Sequence, residues 1–99
     1  MRHAKRTDDN HSAVVEELRK WVPEMTVFDA SGAGRGFPDL VCGLRGRNWL
    51  FELKDPAKIA SKRKLTPAQD EFFGSWQGQV HKVHSATEIM AIIAREEAR

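Results

Sequence analysis

Residues 36–54 run Gly36-Phe37-Pro38-Asp39-Leu40-Val41-Cys42-Gly43-Leu44-Arg45-Gly46-Arg47-Asn48-Trp49-Leu50-Phe51-Glu52-Leu53-Lys54, and the architecture follows from them. Asp39 to Gly43 and Trp49 to Lys54 are short apolar runs with the branched and aromatic content of strands. Leu44 to Asn48, between them, has the glycine and polar residues of a hairpin turn. Pro38 cannot donate to a ladder and suits a strand's first position. Strand alternation puts Leu50, Glu52 and Lys54 on one face, and Trp49, Phe51 and Leu53 on the other. An antiparallel return then brings Glu52 back to the sheet end at which Asp39 starts.

Upstream, Val14, Val15, Leu18, Trp21 and Val22 recur at helical spacing among Glu16, Glu17, Arg19 and Lys20, which predicts an amphipathic helix from His11 to Val22. Asp8, Asp9, Asn10 or Ser12 can cap its start, and Pro23 ends it at or before Val22. Met25 to Ala30 is a first strand. Ser31 to Pro38, with three alternating glycines, is a loop; it runs into a strand rather than opening a helix, which excludes a dinucleotide-binding turn.

Downstream, Asp55 to Lys64 is a basic polar loop. Thr66-Pro67-Ala68-Gln69 carries the signature of a helix start: a capping threonine, proline at the first helical position and glutamine where a capping box places it. Phe72, Phe73 and Trp76 give that helix an apolar face until Gly78. Val80 to His84 is a strand. Ser85-Ala86-Thr87-Glu88 is a second capping box, opening a last helix with Ile89, Ile92 and Ile93 inward. The expected fold is therefore α/β, in the order α-β-β-β-α-β-α. Three strands form an antiparallel meander and the fourth, arriving over a helix, lies parallel to a neighbour in a mixed four-stranded sheet flanked by helices.

The chain has 99 residues, 40% apolar and 30% charged, which suits one domain over residues 1–99, with residues 1–9 expected to be flexible. So small a core gives modest stability, and a homodimer would add to it. The single cysteine, Cys42, lies in an apolar run and reads as a buried side chain suited to the reducing cytoplasm. No stretch approaches the roughly 20 apolar residues of a membrane helix, and the first dozen residues lack the apolar core of a secretion signal, so no membrane partner is expected. Residues 35–64 hold eight bases (Arg35, Arg45, Arg47, Lys54, Lys58, Lys62, Arg63, Lys64) against three acids (Asp39, Glu52, Asp55). Positive charge is thus concentrated in the middle third, as an anionic partner such as DNA would favour.

Two carboxylates brought to one sheet end repel, and a divalent cation relieves the repulsion at hard oxygen ligands. Mg is the natural candidate, because it keeps several waters when held by one or two carboxylates, and such a water is a nucleophile for phosphodiester hydrolysis. Lys54 projects beside Glu52, where its ammonium can hold that water or neutralise developing charge. The Leu53 carbonyl can add a metal ligand. Glu52 and Lys54 interrupt an otherwise apolar strand, and ionic groups at half-buried positions are costly without a partner or a function.

Gly36-Phe37-Pro38-Asp39-Leu40, Glu52-Leu53-Lys54 and Leu65-Thr66-Pro67-Ala68-Gln69 together resemble the PD-(D/E)xK nuclease superfamily and, within it, the virus-type replication-repair nucleases known as VRR-NUC. Archaeal Holliday junction resolvases are similar around Ser31-Gly32-Ala33-Gly34 and Pro38-Asp39-Leu40-Val41. The resemblance implies a restriction-endonuclease-like αβββαβ core with an additional C-terminal helix. It also implies dependence on Mg or Mn, with Asp39 and Glu52 as metal ligands and Lys54 as catalytic base or stabiliser. A homodimer acting on branched DNA is the implied partner arrangement. Such nucleases often complete the metal site with a glutamate on the first helix; here that slot falls on His11, with Glu17 as the alternative. Gln69 matches the family glutamine that faces the active site, although the capping box alone accounts for it. Arg35, Lys62, Arg63 and Lys64 flank the site in sequence and are candidate phosphate contacts. The same fold without cleavage would be a module that binds DNA structures or a replication or repair partner. His81 and His84 lack metal-ligand spacing and read as surface or edge-strand residues, and Trp21, Trp49 and Trp76 read as core.

Overall fold

The computed structural model describes residues 9–99; of the segment expected to be flexible, all but Asp9 lies outside the described residues, as does the capping candidate Asp8. The elements are α1 (His11–Trp21), β1 (Thr26–Asp29), β2 (Leu40–Leu44), β3 (Arg47–Leu53), a 3₁₀ turn (Ala60–Lys62), α2 (Pro67–Ser75), β4 (Val80–Val83) and α3 (Ala86–Glu97). The sheet order is β1-β2-β3-β4, with β1–β2 and β2–β3 antiparallel and β3–β4 parallel. The α/β fold, its mixed four-stranded sheet and the C-terminal helix all match the expectation.

One face of the sheet carries the core. Val27, Leu40, Cys42, Leu44, Trp49, Phe51, Leu53 and Val83 pack there against Val14, Val15 and Leu18 of α1 and Ile89, Ile92 and Ile93 of α3. The period of two along each strand selects these residues, and each large side chain buried contributes roughly 1.5–3 kcal/mol. The opposite face receives α2, whose one buried residue is Gln69.

The hairpin is tighter than the five-residue turn expected. Leu44 faces Arg47, leaving Arg45 and Gly46 as a two-residue loop with φ of 49° and 81°. Two left-handed residues match the twist of the flanking strands, so the ladder continues further than strand composition indicates. Arg45 tolerates this conformation while its guanidinium binds Glu97 at 2.7 and 2.9 Å.

Four local expectations are corrected. Asn10 takes the N-cap position of α1 without making a side-chain cap; its Nδ2 donates instead to His84 O at 3.1 Å, tying the start of α1 to the end of β4. Ser85 caps α3 by accepting from Glu88 N, but the Glu88 carboxylate turns to His84 Nδ1 at 3.3 Å rather than closing a box. The helix begun at Thr66 stops at Ser75, and Phe72 and Phe73 are only half-buried while Trp76 is exposed. Trp21 is exposed as well, so Trp49 is the one tryptophan of the three in the core. A helix that docks through its first turn leaves its later turns in solvent. His81 lies half-buried on the edge strand β4, as expected.

Candidate active site

Leu40 faces Phe51 across β2 and β3, so the next pair toward the sheet end is Asp39 and Glu52. Both are 2% exposed. Leu40 and Phe51 point into the core, and alternation therefore turns Asp39, Glu52 and Lys54 to the opposite face, beneath α2. Asp39 Oδ2 accepts from Leu53 N at 2.9 Å, just beyond the last β2–β3 ladder pair, Leu40 and Phe51. A strand residue's N–H and C=O project to the same edge, so the Leu53 carbonyl also faces Asp39. Lys54 N donates across the other edge to Val83 O at 2.9 Å, which anchors the end of β3 on both sides.

Gln69 connects these groups. Its Nε2 donates to Glu52 Oε2 at 2.9 Å, and its Oε1 accepts both from Lys54 Nζ at 2.9 Å and from Thr66 N at 2.9 Å. Thr66 Oγ1 in turn accepts from Gln69 N at 3.2 Å. The capping box and the bonds to Glu52 and Lys54 thus belong to one side chain. Lys54 Nζ also lies 3.6 Å from Glu52 Oε2. Buried ions of this kind hold together only when amide and ionic contacts satisfy them jointly.

Gly36 sets α2 against the sheet. It has φ of +77°, and a Cβ there would overlap Ala68 O and sit 2.8 Å from Gln69 N. Only glycine permits the loop to approach the first turn of α2 this closely.

The proposed fourth ligands fare differently. His11 is buried at the start of α1, on the core side of the sheet, where its Nε2 lies 3.2 Å from Asp29 Oδ2. Asp29 also accepts from Ser31 Oγ at 2.6 Å and Ser31 N at 2.9 Å. Burial works against the Asp29 carboxylate, but the Ser31 bonds and His11 outweigh it and lower its pKa. His11 is thereby engaged with Asp29. Glu17 is exposed. Asp55, which sequence reasoning passed over, is buried, and its Oδ1 accepts from Ala57 N at 2.9 Å. The Asp55-Pro56 dipeptide is the turn signal that marks it.

Among the described residues, no group of three or more His, Cys, Asp or Glu side chains is placed to hold a metal ion. The oxygen groups that would be offered at the sheet end are the buried Asp39 and Glu52 carboxylates, with the Leu53 carbonyl as the expected third. That oxygen set fits a hydrated Mg or Mn ion, which takes few protein ligands and retains its waters.

Besides Lys54 at the site and Lys58, whose Nζ lies 2.9 Å from Asp9 Oδ2, the basic residues of the middle third fall into two groups. Arg45 and Arg47 sit at the hairpin, at the far end of the sheet, bound to Glu97 and to Glu96 O. Arg35, Lys62 and Lys64 are exposed, with Arg63 half-buried and its carbonyl 3.4 Å from Lys82 Nζ. Arg35 precedes Gly36, and residues 62–64 precede α2, so these four lie in the segments leading to the site. No helix among the described residues is long and apolar enough to cross a membrane. Comparisons of this chain with protein-family models, curated proteins and solved structures return no match.

Proposed function

We propose that this chain is a Mg- or Mn-dependent endodeoxyribonuclease, similar to VRR-NUC members of the PD-(D/E)xK superfamily, that hydrolyses phosphodiester bonds in branched DNA such as Holliday junctions or flaps. The observation that carries this reading is the buried Asp39–Glu52 pair at one sheet end with Lys54 locked beside it by Gln69. A divalent cation held by Asp39, Glu52 and the Leu53 carbonyl would supply an activated water and charge stabilisation. Gln69 fixes the rotamers of Glu52 and Lys54, so neither must reorganise during the reaction. The Lys54 ammonium then orients the attacking water or neutralises charge developing on the phosphate. Arg35, Lys62, Arg63 and Lys64 grip flanking phosphates, which makes binding weaken with salt. A homodimer in the cytoplasm is the matching state, since two such sites can act on both strands of a branch.

A second reading, a DNA-structure or repair-partner module without cleavage, is favoured by one observation: the helix-one position His11 is committed to Asp29. Labelled four-way junctions and flaps incubated with Mg or Mn separate the two. Metal-dependent cleavage that disappears in Asp39→Ala and Lys54→Ala supports the nuclease. Cleavage surviving both substitutions overturns it, and salt-sensitive binding without metal uptake in calorimetry favours the module.

A further inference from the structure

Trp76 is 42% exposed, and its ring is stacked on Phe72 with centroids 5.1 Å apart and planes inclined by 19°. Phe72 meets Phe37 edge-on at 5.3 Å. Phe37 adjoins Gly36, and Gly36 presses on the Ala68–Gln69 backbone, so the three rings lead from the loop beside Gln69 out to solvent. Along the same helix face, Ala68, Glu71, Phe72 and Ser75 line a cleft of about 350 Å³ to which Arg35, from the preceding loop, also contributes.

An exposed tryptophan backed by a half-buried phenylalanine, with a cation on the adjoining cleft and the site proposed above to cleave phosphodiesters nearby, has the chemistry of a nucleobase platform. Every base offers a π-face, whereas bases within a duplex are already stacked and cannot reach a ring. Arg35 supplies the positive charge for the adjoining phosphate. Glu71 repels phosphate from the cleft's helix side, where its carboxylate instead suits an exocyclic base amine. A base and its phosphate would therefore be sorted between the helix residues and Arg35.

We propose that Trp76, supported by Phe72, stacks an unpaired base of a single-stranded DNA segment whose phosphate rests on Arg35, so that substrates with a single-stranded arm are preferred to continuous duplex. This rests on the DNA reading above, but it is tested by binding alone. Fluorescence anisotropy in EDTA, where no cleavage occurs, would compare a flap, a single-stranded oligonucleotide and a blunt duplex of equal length. The flap and single strand should bind more tightly than the duplex. Trp76→Ala should weaken both by about ten-fold or more while leaving the duplex unchanged, Trp76→Phe should restore much of the loss, and Trp21→Ala should bind as the parent chain does. Arg35→Ala should weaken flap binding and flatten its salt dependence. Circular dichroism melts establish that each variant is folded. Equal loss on flap and duplex, no loss in folded Trp76→Ala, or no preference for the single-stranded arm overturns the proposal. Binding that behaves as expected in a chain that never cleaves would reject the nuclease reading alone.

Discussion

Gln69 Nε2 donates to Glu52 Oε2 at 2.9 Å, and through that bond the first turn of α2 is fastened to the end of β3. Oε1 of the same amide accepts from Lys54 Nζ and from Thr66 N at the α2 cap. One side chain thus serves helix initiation, tertiary docking and the candidate chemistry.

Gln69→Ala removes partners from a buried carboxylate and a buried ammonium at once. Leaving such groups unsatisfied costs about 1–3 kcal/mol or more, to which loss of the box's glutamine adds. Urea unfolding should show a lowered midpoint, and any metal-dependent cleavage should fall further than the folded fraction does.

Gly36→Ala should destabilise the chain by more than the roughly 1 kcal/mol usual for a left-handed glycine, because the new Cβ also meets the Ala68 carbonyl. Gly32→Ala is its control: nothing lies within 4 Å of a Cβ there, and thermal melts should leave it near the parent.

Asp39→Asn and Lys54→Met divide metal binding from chemistry. Calorimetry with Mn should lose its signal in Asp39→Asn, which removes a ligand charge, and keep it in folded Lys54→Met. Both should fail to cleave. Retained Mn binding in Asp39→Asn would remove Asp39 from the metal site.

The Asp29 carboxylate is stabilised in its charged form by Ser31 and His11 despite partial burial, which lowers its pKa. A depressed carboxylate contributes stability that is present above its unfolded pKa, about 4, and lost as pH falls through the lower folded value. Asp29→Asn should therefore flatten the acid limb of a Tm profile recorded between about pH 5 and pH 2. The effect should be small, because the side chain is half-exposed.

Burial pushes the Cys42 thiol up to about 12. At pH 8 a disulfide reagent should leave Cys42 unmodified in the native chain and label it fully in urea, so its rate reports unfolding. Rapid labelling without denaturant would contradict the packing of β2.

Apolar periodicity and backbone chemistry made most of this molecule legible from its residues. The alternation in Trp49 to Lys54, Pro23 after α1 and the Thr66-Pro67 start of α2 act locally, and each appears where expected. Asp39, Glu52 and Lys54 could be brought together on paper because a hairpin's geometry is short-range. Tertiary packing settled what local rules leave open. Gln69 could cap, face the site or do both, and its shared bonds depend on how α2 sits over β3. His11 could serve a metal site or β1, and Asp29, distant in sequence, holds it. Trp76 reads as core by hydrophobicity, yet α2 docks through its first turn and leaves that ring in solvent. Periodicity marks which residues can share a face; which face finds a partner depends on contacts between segments far apart in the chain.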